Sequence, residues 1–221
     1  MTDNVHGESP VAGLLLAAGG GRRLGGRPKA LLPYRGRPLV EHAARSLREG
    51  GCERVYVVLG AAADEVRSRA VLPGCVLVEN PGWGSGMGSS LRAGLAALAA
   101  PAPPTLSAPS APSALASPGP VPRAALVALV DQPGIGPAAM ARVRAAYRSP
   151  GTLAAAAYAG VRGHPVLFGA EHWAGIAADA TGDQGARGYL RSRARDIVLV
   201  ECGDVAEAYD IDTVEDLSHL E

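Results

Sequence analysis

A three-layer α/β/α protein built on a mostly parallel sheet is the fold class this 221-residue chain predicts, and three observations predict it. Short apolar runs alternate with alanine-rich stretches of helical length, the pattern of strands joined by crossover helices. Glycine and proline fall between the runs, where the chain must turn. The residues with chemistry to offer, Asn80, Asp131 and His164 among them, fall at or near inferred strand ends. Open α/β sheets bind their ligands there.

The elements follow in order. Val11 to Ala18 is apolar throughout and reads as a strand buried on both faces. Pro38 to Gly50 reads as a helix, with proline near its start and glycine at its end. Then come a strand at Val55 to Leu59, a helix from Asp64 to Val71 and a strand at Cys75 to Val78. A helix runs from near Ser89 to Ala100; Ala125 to Val130 is a strand, and Pro137 to Tyr147 a helix. Later segments are Thr152 to Tyr158, a strand at Val166 to Phe168, a helix from Gln184 to Ala194 and a strand at Ile197 to Val200. Residues 11–221 are expected to form one domain behind a flexible tail, residues 1–10. Pro101 to Arg123, dominated by proline, alanine and serine, interrupts the alternation. It is expected to be a disordered or extended surface insertion, because it has too little apolar surface to fold alone.

Composition narrows the function classes. Lysine plus arginine equals aspartate plus glutamate, 21 against 21, so no general attraction for nucleic acid or membrane is expected and charge must act locally. Cys52, Cys75 and Cys202 are odd in number and widely spaced, which reads as reduced thiols. Met1 to Pro10 lacks the basic and apolar regions of a signal peptide, and no apolar run nears the ~20 residues of a membrane helix. A cytoplasmic, soluble protein is the expectation.

The chemistry concentrates after the first strand. Leu14 to Ala18 breaks into Gly19-Gly20-Gly21, with Arg23 and Lys29 following on the same loop. Glycines let the backbone turn sharply and turn N–H groups toward an anion, and the two cations add fixed charge beside them. The loop suits a nucleoside triphosphate. It is not a Walker A loop, since no Gly-Lys pair occurs. Nor is it a dinucleotide fingerprint, because Leu24 stands where the third glycine belongs and Gly60-Ala61-Ala62 ends the second strand without a carboxylate.

The pattern Leu16-Ala17-Ala18-Gly19-x-Gly21-x-Arg23-Leu24-Gly25, then Pro28-Lys29, resembles the opening signature of nucleotidyltransferases that activate sugars, polyols and pterins. Further pieces follow in register: Asn80-Pro81-x-Trp83-x-x-Gly86-Met87-Gly88-x-Ser90-Leu91, Asp131-Gln132-Pro133, Arg162-Gly163-His164-Pro165, Gly182-Asp183-x-Gly185-Ala186-Arg187 and Asp210-Ile211-Asp212-Thr213. Together they are most similar to the molybdenum cofactor cytidylyltransferase family. The resemblance implies a Rossmann-like nucleotidyltransferase fold, a Mg2+ or Mn2+ cofactor, CTP as substrate and molybdopterin as the phosphate-bearing acceptor. It also implies transient contact with a molybdoenzyme or its chaperone.

Its residue roles carry over position by position. Arg23 and Lys29 grip the triphosphate and serve catalysis. Leu16, Ala17, Ala18, Gly19, Gly21, Asn80, Gly86 and Ser90 bind the nucleotide. Ala18 stands where guanylyl-transferring relatives tend to carry glycine, which goes with cytosine, whereas Met87 stands near a position where cytidylyl-transferring relatives commonly carry arginine. Asp131, at a strand end, is the expected metal ligand, with Asp212 as second ligand and Asp210 as the alternative; either of the latter pair would also cap a helix starting near Thr213. His164, Asp183 and Arg187 face the acceptor, Asp183 doubling as an N-cap. Trp83 is a pocket wall or a loop anchor. His6, His42, His172 and His219 have no partner pattern and are expected at the surface. Three rival activities share these motifs: sugar- or polyol-phosphate nucleotidyl transfer, oxidoreduction of the nicotine-blue type, and a non-catalytic chaperone that binds nucleotide.

Overall fold

The computed structural model describes residues 10–101 and 121–220. The expected tail, apart from Pro10, and the body of the proline-rich insertion lie outside the described residues.

The sheet has seven strands in the order β5-β4-β1-β6-β8-β7-β9. They are β1 (Val11–Ala17), β4 (Val55–Leu59), β5 (Cys75–Glu79), β6 (Ala124–Leu129), β7 (Leu153–Tyr158), β8 (Val161–Gly169) and β9 (Ile197–Glu201); β2 (Pro33–Tyr34) and β3 (Arg37–Pro38) form a separate small hairpin. β1 lies parallel to both β4 and β6, so it is enclosed on both edges and both faces. All seven of its residues are buried, which is why its sequence is a continuous apolar run rather than an alternating one.

Side chains alternate along each strand, so the two faces carry two separate cores. Leu15, Ala17, Val57, Leu59 and Leu126 pack with Leu39, Val40 and Leu47 of α1 (Leu39–Glu49), Val66 of α2 (Ala63–Arg69), and Met140 and Val143 of α4 (Pro137–Arg144). Leu14, Leu16, Tyr56, Val58, Val127 and Phe168 pack with Leu91, Leu95 and Leu98 of α3 (Met87–Ala99). Trp173 and Ile176 of α5 (Trp173–Asp179) and Tyr189 and Leu190 of α6 (Arg187–Ser192) join that second face. The three-layer arrangement is the predicted one.

The structure adds two features to the reading, the reversal of β8 and helix α5, and corrects two expected helices. β8 runs antiparallel to both β6 and β7, the one reversed strand of the sheet. It follows β7 through a two-residue turn, Ala159-Gly160, with φ of 51° and 79°. Arg35-Gly36 turns the β2–β3 hairpin in the same way, with φ of 49° and 76°. Both are left-handed two-residue turns, whose twist suits paired strands. The helix expected from Gln184 is instead a 3-10 turn (Gly182–Gln184) and a short α6, separated at Gly185, whose φ is +53°. α5 was absent from the sequence reading, and the helix expected after Thr213 is a 3-10 turn, Glu215–Leu220. Among the described residues no helix is long and apolar enough to cross a membrane.

Close packing where β4 ends positions the glycine loop. A Cβ placed on Gly60 would lie 2.5 Å from Trp83 Cβ and 2.7 Å from Ala18 Cβ. Neither atom is the flexible end of a side chain, so the backbone itself would have to move. Gly60→Ala is expected to cost about 1–3 kcal/mol of stability, read as a lowered urea midpoint, whereas an unchanged midpoint would mean that this contact is slack.

Candidate functional site

The glycine loop is locally determined. Gly21 adopts φ +60°, and a Cβ there would sit 1.8 Å from the Arg27 carbonyl oxygen. Only glycine tolerates this approach. Its own carbonyl accepts hydrogen bonds from the Leu24 and Gly26 amides at 2.8 and 3.0 Å, closing the loop, while Leu24 is buried and anchors it.

Lys29 then points inward. Its Nζ donates to Asp131 Oδ2 at 2.6 Å and also to Asp212 Oδ1. Arg23 Nη1 stands 3.5 Å from Asp212 Oδ2. The Lys29 and Asp131 side chains are only 13% and 19% exposed, whereas Arg23 is 76% exposed and free to follow a ligand. Burial alone would lower the Lys29 pKa, but attraction and hydrogen bonds from Asp131 and Asp212 outweigh it and hold the ammonium above the usual lysine value. Burial pushes the Asp131 carboxyl up, opposed by the Lys29 ammonium beside it.

Asp131 arrives from the end of β6, and its carbonyl accepts from the Ile211 amide at 2.9 Å, drawing in the C-terminal segment. That segment is shaped by Asp216, whose Oδ2 accepts from the amides of Asp212 and Thr213 and from the Thr213 hydroxyl at 2.7–3.0 Å. The carboxylate that gathers these amides is Asp216, inside the turn, rather than Asp210 or Asp212 ahead of it. The Asp212 carboxylate is left to Lys29 and Arg23, and Asp210 instead accepts from Gln132 Nε2 at 2.7 Å. The geometry favours Asp212 over Asp210 beside Asp131.

Arg23, Lys29, Asp131 and Asp212 line a cleft of about 760 Å3, together with Leu16, Ala18, Gly19, Gly21, Gly86, Ser90, Asp183 and Arg187. Trp83 packs over Gly20 and Gly60 and also lines the cleft, so it is both wall and anchor. Two expected nucleotide contacts are absent from the lining. Ala17 faces the core on the other side of the sheet. Asn80 is buried, donating from Nδ2 to the Ser89 and Ser90 hydroxyls at 2.8 and 3.1 Å and accepting from the Gly82 amide at 3.0 Å. Its side chain fastens the turn before α3 to the start of that helix. Asp183 belongs to the 3-10 turn and caps no helix; its carboxylate lies against Gly86, where a Cβ would meet Oδ1 at 2.6 Å.

A second cavity of about 470 Å3 adjoins the cleft, and Leu16, Met87, Leu129 and Arg187 line both. His164 belongs to this second cavity, on the first half of β8. Burial pushes its pKa down to about 4, with Asp210 opposing and Arg187 and Arg162 reinforcing, so the ring is neutral near pH 7. Tyr158 Oη donates to the His164 carbonyl at 2.7 Å. Gln132 also lines this cavity, and its Oε1 is buried with no hydrogen-bond partner. Sequence reasoning gave Gln132 and Asp216 no role; the Thr213-x-x-Asp216 spacing was the available signal for the latter.

Two histidines expected at the surface are half-buried instead. His42 Nε2 lies 3.2 Å from the Pro133 carbonyl, beside the Asp131 loop, and His172 bridges Tyr189 Oη and the Gly151 carbonyl at 2.9 Å each. Burial lowers the His42 pKa. A histidine whose folded pKa lies below its unfolded value of about 6.5 takes its proton first in the unfolded chain, so stability falls as pH drops through that value. For His164 the loss should run from about pH 6.5 down to about 4. Urea midpoints measured at pH 7 and pH 5 should therefore differ, and His164→Gln should shrink the difference; an equal drop in the variant would refute this account.

The family model of the MobA-like NTP transferase domain matches residues 13–197. A nicotine blue oxidoreductase of Paenarthrobacter nicotinovorans is 42% identical over 217 residues, spanning 95% of this chain and 96% of that relative. The crystal structure of a Mycobacterium tuberculosis rv0371c homolog from Mycobacterium sp. strain JC1 superposes with a TM-score of 0.74 at 30% identity, covering 96% of each chain. The Rv0371c complex with manganese from M. tuberculosis H37Rv gives 0.66 at 26%, covering 96% of this chain and 98% of that one. With its glycine loop, paired aspartates and three-layer sheet, this chain belongs to the MobA-like NTP transferase family.

Proposed function

We propose that the protein transfers a nucleotidyl group from a nucleoside triphosphate to a phosphate-bearing small molecule, CMP from CTP to molybdopterin, releasing pyrophosphate. The observation that carries this reading is the meeting of Arg23, Lys29, Asp131 and Asp212 in one cleft walled by the glycine loop. In such a transfer an acceptor phosphate oxygen bonds to the α-phosphorus while the bond from that phosphorus to the oxygen bridging to the β-phosphate breaks. Charge accumulates on the phosphoryl oxygens, and Lys29 and Arg23 are placed to meet it.

Two carboxylates gathered around one cationic atom are a hard-oxygen donor set that suits Mg2+ or Mn2+. Among the described residues no cluster of three His, Cys, Asp or Glu forms, so the remaining positions would fall to substrate oxygens and water, as Mg2+ prefers. Held by Asp131 and Asp212, the cation would supply charge neutralisation at the triphosphate. Gly19, Gly21, Gly86 and Ser90 line the space for the nucleotide. The Ala18 methyl, lying against Gly60 beside Trp83, supports a pyrimidine over a purine by narrowing that wall.

The acceptor is assigned to the second cavity. Arg187 lines both spaces and would take the acceptor phosphate at their junction, and the neutral His164 ring would hydrogen-bond the acceptor without repelling a cation. On this reading the enzyme works in the cytoplasm and hands its product to a molybdoenzyme or its chaperone by transient contact. A second reading, oxidoreduction of a nicotine-derived pigment, is favoured by the 42% identity to a nicotine blue oxidoreductase over nearly the whole chain.

The test is a screen of the four triphosphates with Mg2+ against molybdopterin and a sugar phosphate, read as pyrophosphate, with NAD(P)H oxidation followed in parallel. Pyrophosphate from CTP with molybdopterin supports the first reading; NAD(P)H consumption on a pigment without pyrophosphate supports the second. Asp131→Asn and Lys29→Met should each lower turnover by about 100-fold or more while the circular dichroism spectrum stays unchanged. Retained turnover in either variant would remove that residue from the chemistry.

A further inference from the structure

Lys29 does more here than stand near a phosphate site. Its ammonium is shared between the two carboxylates that the proposed function gives to a divalent cation. Counting charges, Arg23 and Lys29 already balance Asp131 and Asp212. A divalent cation arriving alone would have to displace a mostly buried ammonium and leave it unpaired, at 13% exposure, beside the incoming charge. A triphosphate arriving first changes that balance. It offers several negative oxygens to Lys29 and Arg23, and the carboxylates are then released to the cation.

We propose that Lys29 and the divalent cation compete for Asp131 and Asp212, so that Lys29 keeps the metal site closed until a triphosphate draws it away. Lys29 is thereby a positioning residue for the metal as well as a phosphate ligand, and nucleotide and metal bind with positive coupling. The inference rests on the reading of Asp131 and Asp212 as cation ligands, and the site's geometry gives it independent content. Lys29 follows Pro28 at the head of a 3-10 turn whose Ala30 and Leu31 are buried, so the backbone that carries the ammonium is fixed. Only its long side chain needs to move.

The experiment is a Mn2+ titration of the nucleotide-free protein, read by electron paramagnetic resonance as free against bound ion. Wild type and Lys29→Arg should bind weakly. The neutral replacements Lys29→Met and Lys29→Gln should bind Mn2+ at least tenfold more tightly, although they lose turnover. A purely structural lysine would give the opposite result, with affinity falling as the site loosens. Thermal melts identify which variants are folded, and two neutral replacements guard against one failing. Equal or weaker binding in a folded neutral variant overturns the proposal while leaving the cation assignment intact. Absence of Mn2+ binding in every variant overturns both.

Discussion

Three stretches of chain far apart in sequence meet at one ammonium. Lys29 comes from the glycine loop, Asp131 from the end of β6, and Asp212 from the segment that closes the described chain. A buried ion pair of this kind is a poor source of stability, because desolvating the partners offsets their attraction. Its value lies in specificity. Because the Lys29 ammonium touches both carboxylates, losing either one unties one of the three segments from the junction, so the loop, the strand end and the terminal segment favour this one arrangement. Everything else at the site is arranged around that junction: Asp216 bends the terminal segment, Ile211 pairs with the Asp131 carbonyl, and Gly21 turns the loop back on itself.

The sheet decides which side chains can reach the junction. β1, β4, β5 and β6 run the same way, so their carboxyl ends form one rim, and the glycine loop and Asp131 emerge there. β8 runs the other way, which brings its beginning rather than its end to the same rim. His164 faces the second cavity for that reason. Were β8 parallel, Val161 to His164 would lie at the far side of the molecule and would not line the second cavity.

Much of this was legible in the residues. Apolar runs too continuous for a half-exposed strand gave β1, β4 and β6, and the glycine loop with its two cations gave the cleft, because both signals are local. The reversed β8 was not legible. Its only local mark was Ala159-Gly160, since the stronger asparagine–glycine turn signal is missing and direction is settled by pairing across the sheet. The nucleotide role of Asn80 comes from its place in the family motif, whereas its partners are not legible there: nothing in the sequence says that Ser89 and Ser90 lie within reach of its amide. Gln132 sits in the Asp131-Gln132-Pro133 motif, but the motif alone gives the glutamine no role. Its importance is visible only once Asp210 is found on one side of its amide and an unpartnered oxygen on the other.

The two cavities explain why a fold of this kind admits readings as different as nucleotidyl transfer and pigment oxidoreduction. The charged residues that would manage a triphosphate sit almost wholly in the first, while the second is walled by Leu91, Val127, Val166, Phe168 and Leu190 and would accept a flat, largely apolar ring. In this chain the first space holds both cations and both carboxylates, with Lys29 mostly buried between its partners. Two cations and two carboxylates gathered in one cleft suit a polyanionic ligand held together with a divalent cation, which is what the nucleotidyl-transfer reading asks of the first space.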